Sequence, residues 1–206
     1  MKKKELEIML ERIEKPERIK AELEQYLTPS NIAADILWKA YYNGDIEGKL
    51  IIDLGCGNGI FSIGAALLNA KKVIGIDIDE ELIEIAKKEA KKIGVNIKFI
   101  AMDIEKFNEK GDVVIMNPPF GAQYGNRKAD RKFIEKAMEI SNCIYSLHLK
   151  ESINFIRNLI ERNEWKVMET KTYRFPIKAS LPFHEKRIAY FDVFMIHAKA
   201  KSFQQL

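Results

Sequence analysis

The chain is expected to fold as a doubly wound α/β sheet, mainly parallel, preceded by N-terminal helices and finished by a C-terminal antiparallel hairpin. Three observations carry this. Short apolar runs alternate with amphipathic stretches of helical period from residue 49 to residue 162. The first runs are apolar on both faces, as central parallel strands are. After Trp165 the helices stop, and two long strand-like segments follow with no helix between them.

In chain order, residues 1–24 place Leu6, Ile8, Met9, Ile13, Ile19 and Leu23 at roughly helical spacing, broken at Pro16, which predicts two short outer helices. Thr28 is expected to cap a helix whose first residue is Pro29 and whose inward face is Ile32, Ala33, Ile36, Leu37 and Ala40; Asn43-Gly44 ends it. Strands are expected at 49–54, 73–79, 97–102, 111–116 and 143–149, with helices from Phe61, up to Ile93, over 130–141 and over 151–162. Segments 165–175 and 187–198 form the hairpin. The expected organisation is one domain over 1–206: an N-terminal helical segment (1–44), an αβ cofactor-binding core (45–164) and the hairpin (165–206).

The chain has 206 residues, is 47% hydrophobic and 31% charged, and carries 34 Lys and Arg against 30 Asp and Glu, a net charge of +4. Such a composition suits a globular protein, and its mild basicity is compatible with a polyanionic partner. There is no apolar run of membrane-spanning length, and the charged N-terminus lacks a signal peptide's apolar segment. Two cysteines, Cys56 and Cys143, make neither a disulfide framework nor a zinc site on their own. The expectation is a cytoplasmic, metal-free protein.

Function concentrates where strands end. The fourth strand runs into Asn117-Pro118-Pro119-Phe120-Gly121. Two prolines cannot donate to a sheet, so the strand stops there and presents a carboxamide and an aromatic ring at the edge where open α/β sheets bind ligands. The amide and the Pro118 carbonyl can grip an exocyclic amine, and Phe120 can stack on a planar base; a capped strand end with Phe120 folded into the core is the plainer alternative. After the first strand comes Asp53-Leu54-Gly55-Cys56-Gly57-Asn58-Gly59. A dinucleotide fingerprint needs a glycine at position 60, where this chain has Ile60, which argues against NAD and FAD. An acid before the glycines suits a cationic or amine-bearing ligand instead. Asp77, at the second strand, can accept both ribose hydroxyls, and Asp103, after the third, an adenine amine. A ligand with an amine, a carboxylate, a ribose and an adenine fits this row, and S-adenosyl-L-methionine is such a ligand.

On these residues the chain resembles class I (Rossmann-like) S-adenosylmethionine-dependent methyltransferases, and Asn-Pro-Pro-Phe resembles the catalytic motif of their N6-adenine branch. Leu23-Glu24-Gln25-Tyr26-Leu27-Thr28, Gly75-Ile76-Asp77-Ile78-Asp79 and Tyr145-Ser146-Leu147-His148 narrow the resemblance to the methyltransferase-like protein five family. That resemblance implies methylation of N6 of an adenosine in small-subunit ribosomal RNA, with a small zinc-ribbon activator subunit. It implies a cofactor site lined by Gln25, Thr28, Gly55, Asn58, Ile60, Asp77, Asp103 and Ile104, and a base gripped by Asn117, Pro118 and Phe120. Candidate RNA contacts are Arg127, Lys128, Arg131 and Lys132 after the motif, and Lys178, His184, Lys186 and Arg187 at the hairpin tip. His148 is expected to be structural. Glutamine N5-methylation of a release factor or other translation protein, DNA adenine N6-methylation and a non-catalytic cofactor-binding scaffold are the alternatives. The glutamine branch has Tyr where this chain has Phe120.

Overall fold

The computed structural model describes residues 1–16, 20, 26–120, 129–178 and 188–201. Seven strands form one sheet: β1 (Leu50–Leu54), β2 (Lys72–Asp77), β3 (Lys98–Ala101), β4 (Val113–Met116), β5 (Cys143–Leu149), β6 (Trp165–Lys178) and β7 (Ile188–Ala200). Their order is β3-β2-β1-β4-β5-β7-β6. The first five are parallel, and β7 runs antiparallel to both β5 and β6. The chain therefore has the doubly wound, mainly parallel sheet anticipated from its strand pattern, as the resemblance to class I methyltransferases also implies. The hairpin does not simply extend the sheet: its second strand inserts beside β5 and leaves β6 at the edge.

The helices are α1 (Lys3–Glu11), α2 (Ser30–Tyr42), α3 (Ile60–Leu67), α4 (Glu80–Ile93), α5 (Ala129–Ile140) and α6 (Ile153–Arg162). Successive residues of a strand face opposite sides, so each apolar strand feeds two cores. Ile51, Val113, Ile115 and Tyr145 face a core that includes Leu6, Leu10, Ile36, Leu37, Ile63, Ile83 and Ala86 of α1–α4. Ile52, Leu54, Val114, Met116 and Ile144 face Ile134, Ile140, Ile156 and Ile160 of α5 and α6. Burial on both faces explains why the central strands carry no polar alternation.

Several boundaries differ from expectation. Helix α2 starts at Ser30 with Pro29 as its cap residue, whose carbonyl accepts the Ala33 N–H at 2.9 Å. Thr28 caps nothing there; its hydroxyl is used elsewhere. Strand β2 stops at Asp77, and Asp79 instead caps α4 by accepting the Glu81 N–H at 3.0 Å. The expected strands at 97–102 and 111–116 shorten to β3 and β4 because ladder pairing ends there. The second N-terminal helix lies outside the described residues.

Candidate active site

The C-terminal ends of β1, β2 and β4 and the turn after β3 open onto one cleft. The segment 26–28 forms one wall, the glycine turn 55–58 the floor, and Met102, Asp103 and Ile104 the far side. The glycine turn takes this shape because Gly57 and Gly59 adopt positive φ, 53° and 82°. A Cβ at Gly57 would meet no atom within 4 Å. The Gly55 and Cys56 N–H groups bond back to the Ile76 carbonyl at 2.8 and 2.9 Å, locking the turn against β2.

Asp77 is the best-held polar group of the cleft. One carboxylate oxygen accepts the Gly57 N–H at 2.8 Å, the other the Asp79 N–H at 2.9 Å. Burial raises its pKa, and those backbone bonds oppose the rise. Each oxygen keeps lone-pair capacity for a ligand hydroxyl. Ile78, beside it, is 58% exposed although large and apolar, and it faces the cleft together with Leu82 and Met102. A vicinal diol on Asp77 and a flat apolar ring against Ile78 suit these two residues. Asp103 accepts the Glu105 N–H at 2.9 Å and also lines the cleft.

Of the residues expected to bind a cofactor, Thr28, Gly55, Gly57, Asn58, Ile60, Asp77, Asp103 and Ile104 come together on the cleft. Gln25 lies outside the described residues. Asp53 is placed differently: it is 1% exposed and lies beneath the cleft rather than on its wall. One of its oxygens accepts the Ser62 N–H at 2.9 Å and the Ser62 hydroxyl at 2.6 Å, tying β1 to the first turn of α3. Burial, against those two bonds and with the added charge of Asp77, raises its pKa to about 7. Asn58 also has a second attachment, donating its side-chain amide to the Glu14 carbonyl at 3.0 Å.

In the Asn-Pro-Pro-Phe stretch, Asn117 and Pro119 face the cleft, whereas Pro118 and Phe120 do not line it. Phe120 is buried, stacked on Tyr26 with centroids 5.6 Å apart and packed edge-on against Phe175 of β6. The plainer reading of Phe120 as a core residue thus describes the structure as it stands. Asn117 Nδ2 donates to the Tyr26 carbonyl at 3.1 Å and to Thr28 Oγ1 at 3.0 Å. Its Oδ1 is buried with no donor among the described residues.

Arg127, Lys128, His184, Lys186 and Arg187 lie outside the described residues, and Lys178 ends β6. Arg131 and Lys132 are engaged by Glu135 and Glu105 at 2.8 and 3.0 Å. His148 is fully buried, its Nε2 2.7 Å from Ser146 Oγ. Tyr145 donates to Asp45 at 2.7 Å and stacks on His197. Asp45, Cys143 and His197 bring three metal-ligating atoms within 4.8 Å of one another, but Lys199 and Tyr145 already donate to the two Asp45 oxygens. Among the described residues no helix is long and apolar enough to cross a membrane.

A methyltransferase domain family matches residues 46–172. The chain is 38% identical, over 91% of its length and 93% of the relative's, to the rRNA N(6)-adenosine-methyltransferase METTL5 of Danio rerio. The chain belongs to the methyltransferase domain family. A Methanocaldococcus jannaschii protein of uncharacterised function is 39% identical over 99% of this chain and 97% of that relative. The crystal structure of a candidate RNA methyltransferase from Pyrococcus horikoshii superposes with a TM-score of 0.88 at 38% identity, covering 97% of this chain and 98% of that one.

The methyltransferase uses S-adenosyl-L-methionine, and the cleft fits it: acceptors stand at Asp77, apolar surface at Ile78 and Met102, and an unsatisfied amide oxygen at Asn117. Sequence reasoning missed Tyr26, Ile78, Leu82, Met102 and Phe133 of the lining. One signal was present for Ile78: a large apolar residue between two aspartates, just past a strand's end. Phe133 had none, because it reaches the Gly55 turn from α5, where a Gly55 Cβ would stand 3.1 Å from its ring.

Proposed function

We propose that this methyltransferase modifies N6 of an adenosine in small-subunit ribosomal RNA. The observation that carries the reading is the buried Asn117 Oδ1, an acceptor with no donor among the described residues, on a side chain that lines the cleft at the end of β4. The METTL5 relatives supply the substrate class.

Adenine N6 is a poor nucleophile because its lone pair is delocalised into the ring. Asn117 Oδ1 takes one N6 hydrogen; the Pro118 carbonyl, outside the cleft lining as the structure stands, takes the other once the 118–120 segment turns toward the base, and the lone pair is then held out of conjugation. When bound, the cofactor would supply a methyl group activated on a sulfonium: the carbon–sulfur bond would break to leave a thioether as the carbon–nitrogen bond forms, and the methylated nitrogen would release its extra proton to water. Placement by Asn117 and Pro118 then provides most of the acceleration, with no strong general base required. The base reaches the cleft only out of any stack. For it to lie on Phe120, the Tyr26 ring gives up its place there. Arg127, Lys128, Lys178, His184, Lys186 and Arg187 are assigned to phosphate contacts, and a zinc-ribbon activator has two sheet edges available, β3 and β6. A cytoplasmic location accompanies a ribosomal substrate.

The test offers labelled S-adenosylmethionine to the protein with small ribosomal subunits, free ribosomal RNA and release factor, with and without a zinc-ribbon partner. Label recovered as N6-methyladenosine at a single position is expected. Label on protein glutamine alone would replace the RNA reading.

A further inference from the structure

We infer that Thr28 is a positioning residue: together with the Tyr26 carbonyl it fixes which way round the Asn117 carboxamide sits. A carboxamide has two ends of nearly equal shape, and only its partners decide which atom points where. The Tyr26 carbonyl can only accept, so it takes the NH2 end, 3.1 Å away. Thr28 Oγ1 takes that group's second hydrogen at 3.0 Å. Both donors of Asn117 are then used, and its oxygen is left buried and without a donor among the described residues, on a side chain that lines the cleft. With the amide reversed, its oxygen would face the Tyr26 carbonyl and its NH2 group would point where a donor is of no use to an amine. Thr28 is itself 8% exposed, fixed between Tyr26 and the start of α2, so its hydroxyl is held in register with Asn117.

The residue therefore has two neighbours in function. It lines the cleft, and by accepting from Asn117 it keeps its own hydroxyl hydrogen to donate. Nothing in its sequence position distinguishes this from capping; the contact spans 89 residues. The inference rests on the assignment of Asn117 as the group that grips the acceptor nitrogen, but the orientation of the amide can be read without any acceptor.

Thr28→Val keeps the shape and removes the hydroxyl, and Thr28→Ser restores it. The first readout is the side-chain amide signal pair of Asn117 in a 15N-labelled protein, identified by its loss in Asn117→Ala. The second is kcat at saturating cofactor, with cofactor affinity measured separately by calorimetry. In Thr28→Val the Asn117 signals are expected to shift and exchange faster with solvent, and kcat to fall by about tenfold, the effect of one lost hydrogen bond. Thr28→Ser should return both to wild-type values. If either readout stays at the wild-type value in Thr28→Val, the inference is overturned; a change confined to cofactor affinity would make Thr28 a cofactor contact only. If the wild-type protein methylates glutamine rather than adenosine, the substrate reading fails while the same two readouts, taken with that acceptor, still decide the role of Thr28.

Discussion

Both the backbone N–H and the hydroxyl of Ser62 donate to a single oxygen of Asp53, while the other oxygen of that carboxyl is buried with no partner among the described residues. Half of this group therefore has no donor among the described residues to stabilise its charge. Burial raises its pKa to about 7, above the ordinary carboxylate value of about 4. The native state therefore favours the proton: the stabilisation is complete below about pH 4 and is lost as the pH rises through 7. Between pH 5 and 8.5 the folding stability of the cofactor-free protein should fall by roughly 2–4 kcal/mol from this group. Thermal melts of Asp53→Asn across that range should be flatter than those of wild type.

Asn117→Ala removes the unsatisfied acceptor without touching Asp77 or Ile78. Turnover should fall by about 100-fold or more, as for loss of a preorganised polar group at the reacting centre. Cofactor affinity by calorimetry should stay within about threefold. Wild-type-like turnover would remove Asn117 from the mechanism.

Ile78 is 58% exposed in the absence of ligand, so truncating it costs the free protein little packing. The bound adenosine would lose an apolar wall, about 1 kcal/mol of burial. Ile78→Ala should weaken cofactor binding about fivefold and leave the melting temperature of the ligand-free protein within a degree or two.

Asp35 of α2 joins three elements, accepting from Lys3, from Lys171 at 2.5 Å and from Tyr173 at 2.8 Å. Burial alone would raise its pKa, but these three bonds outweigh it and hold the carboxyl at about 2. A depressed carboxylate stabilises the fold above pH 4 and ceases to do so as the pH falls through 2. Its lysine partners are 42% and 46% exposed, so solvent screening limits the effect to about 1 kcal/mol. Asp35→Asn should lower stability by that amount at neutral pH and lose the difference near pH 2, as followed by urea titration.

Much of this was legible from local pattern. The apolar runs gave the strands, because β1, β2 and β4 are buried on both faces and are too short, at four to six residues, to be buried helices. Asp77, Asp103 and Asn117 were found because polar residues at strand ends stand out against such runs. What was not legible depends on contacts between distant segments. Thr28 looks like a helix cap in its own neighbourhood and meets Asn117 only after folding. Asp53 precedes the glycines as a ligand-binding acid does, yet Ser62, one turn into α3, claims it. Phe120 is stacked by Tyr26, which is far from it in sequence. The placement of β7 between β5 and β6 has no sequence period to announce it.

That placement makes the order of synthesis matter. On a chain emerging from the ribosome, β5 and β6 are complete before the strand that separates them exists. Until β7 arrives, the apolar β5 has an open edge, able to template pairing with another chain. The bonds from Asp35 to β6 span 136 and 138 residues, so α2 is also kept waiting for a late partner. The nascent protein must therefore shield a finished sheet edge until its own C-terminal hairpin can occupy it.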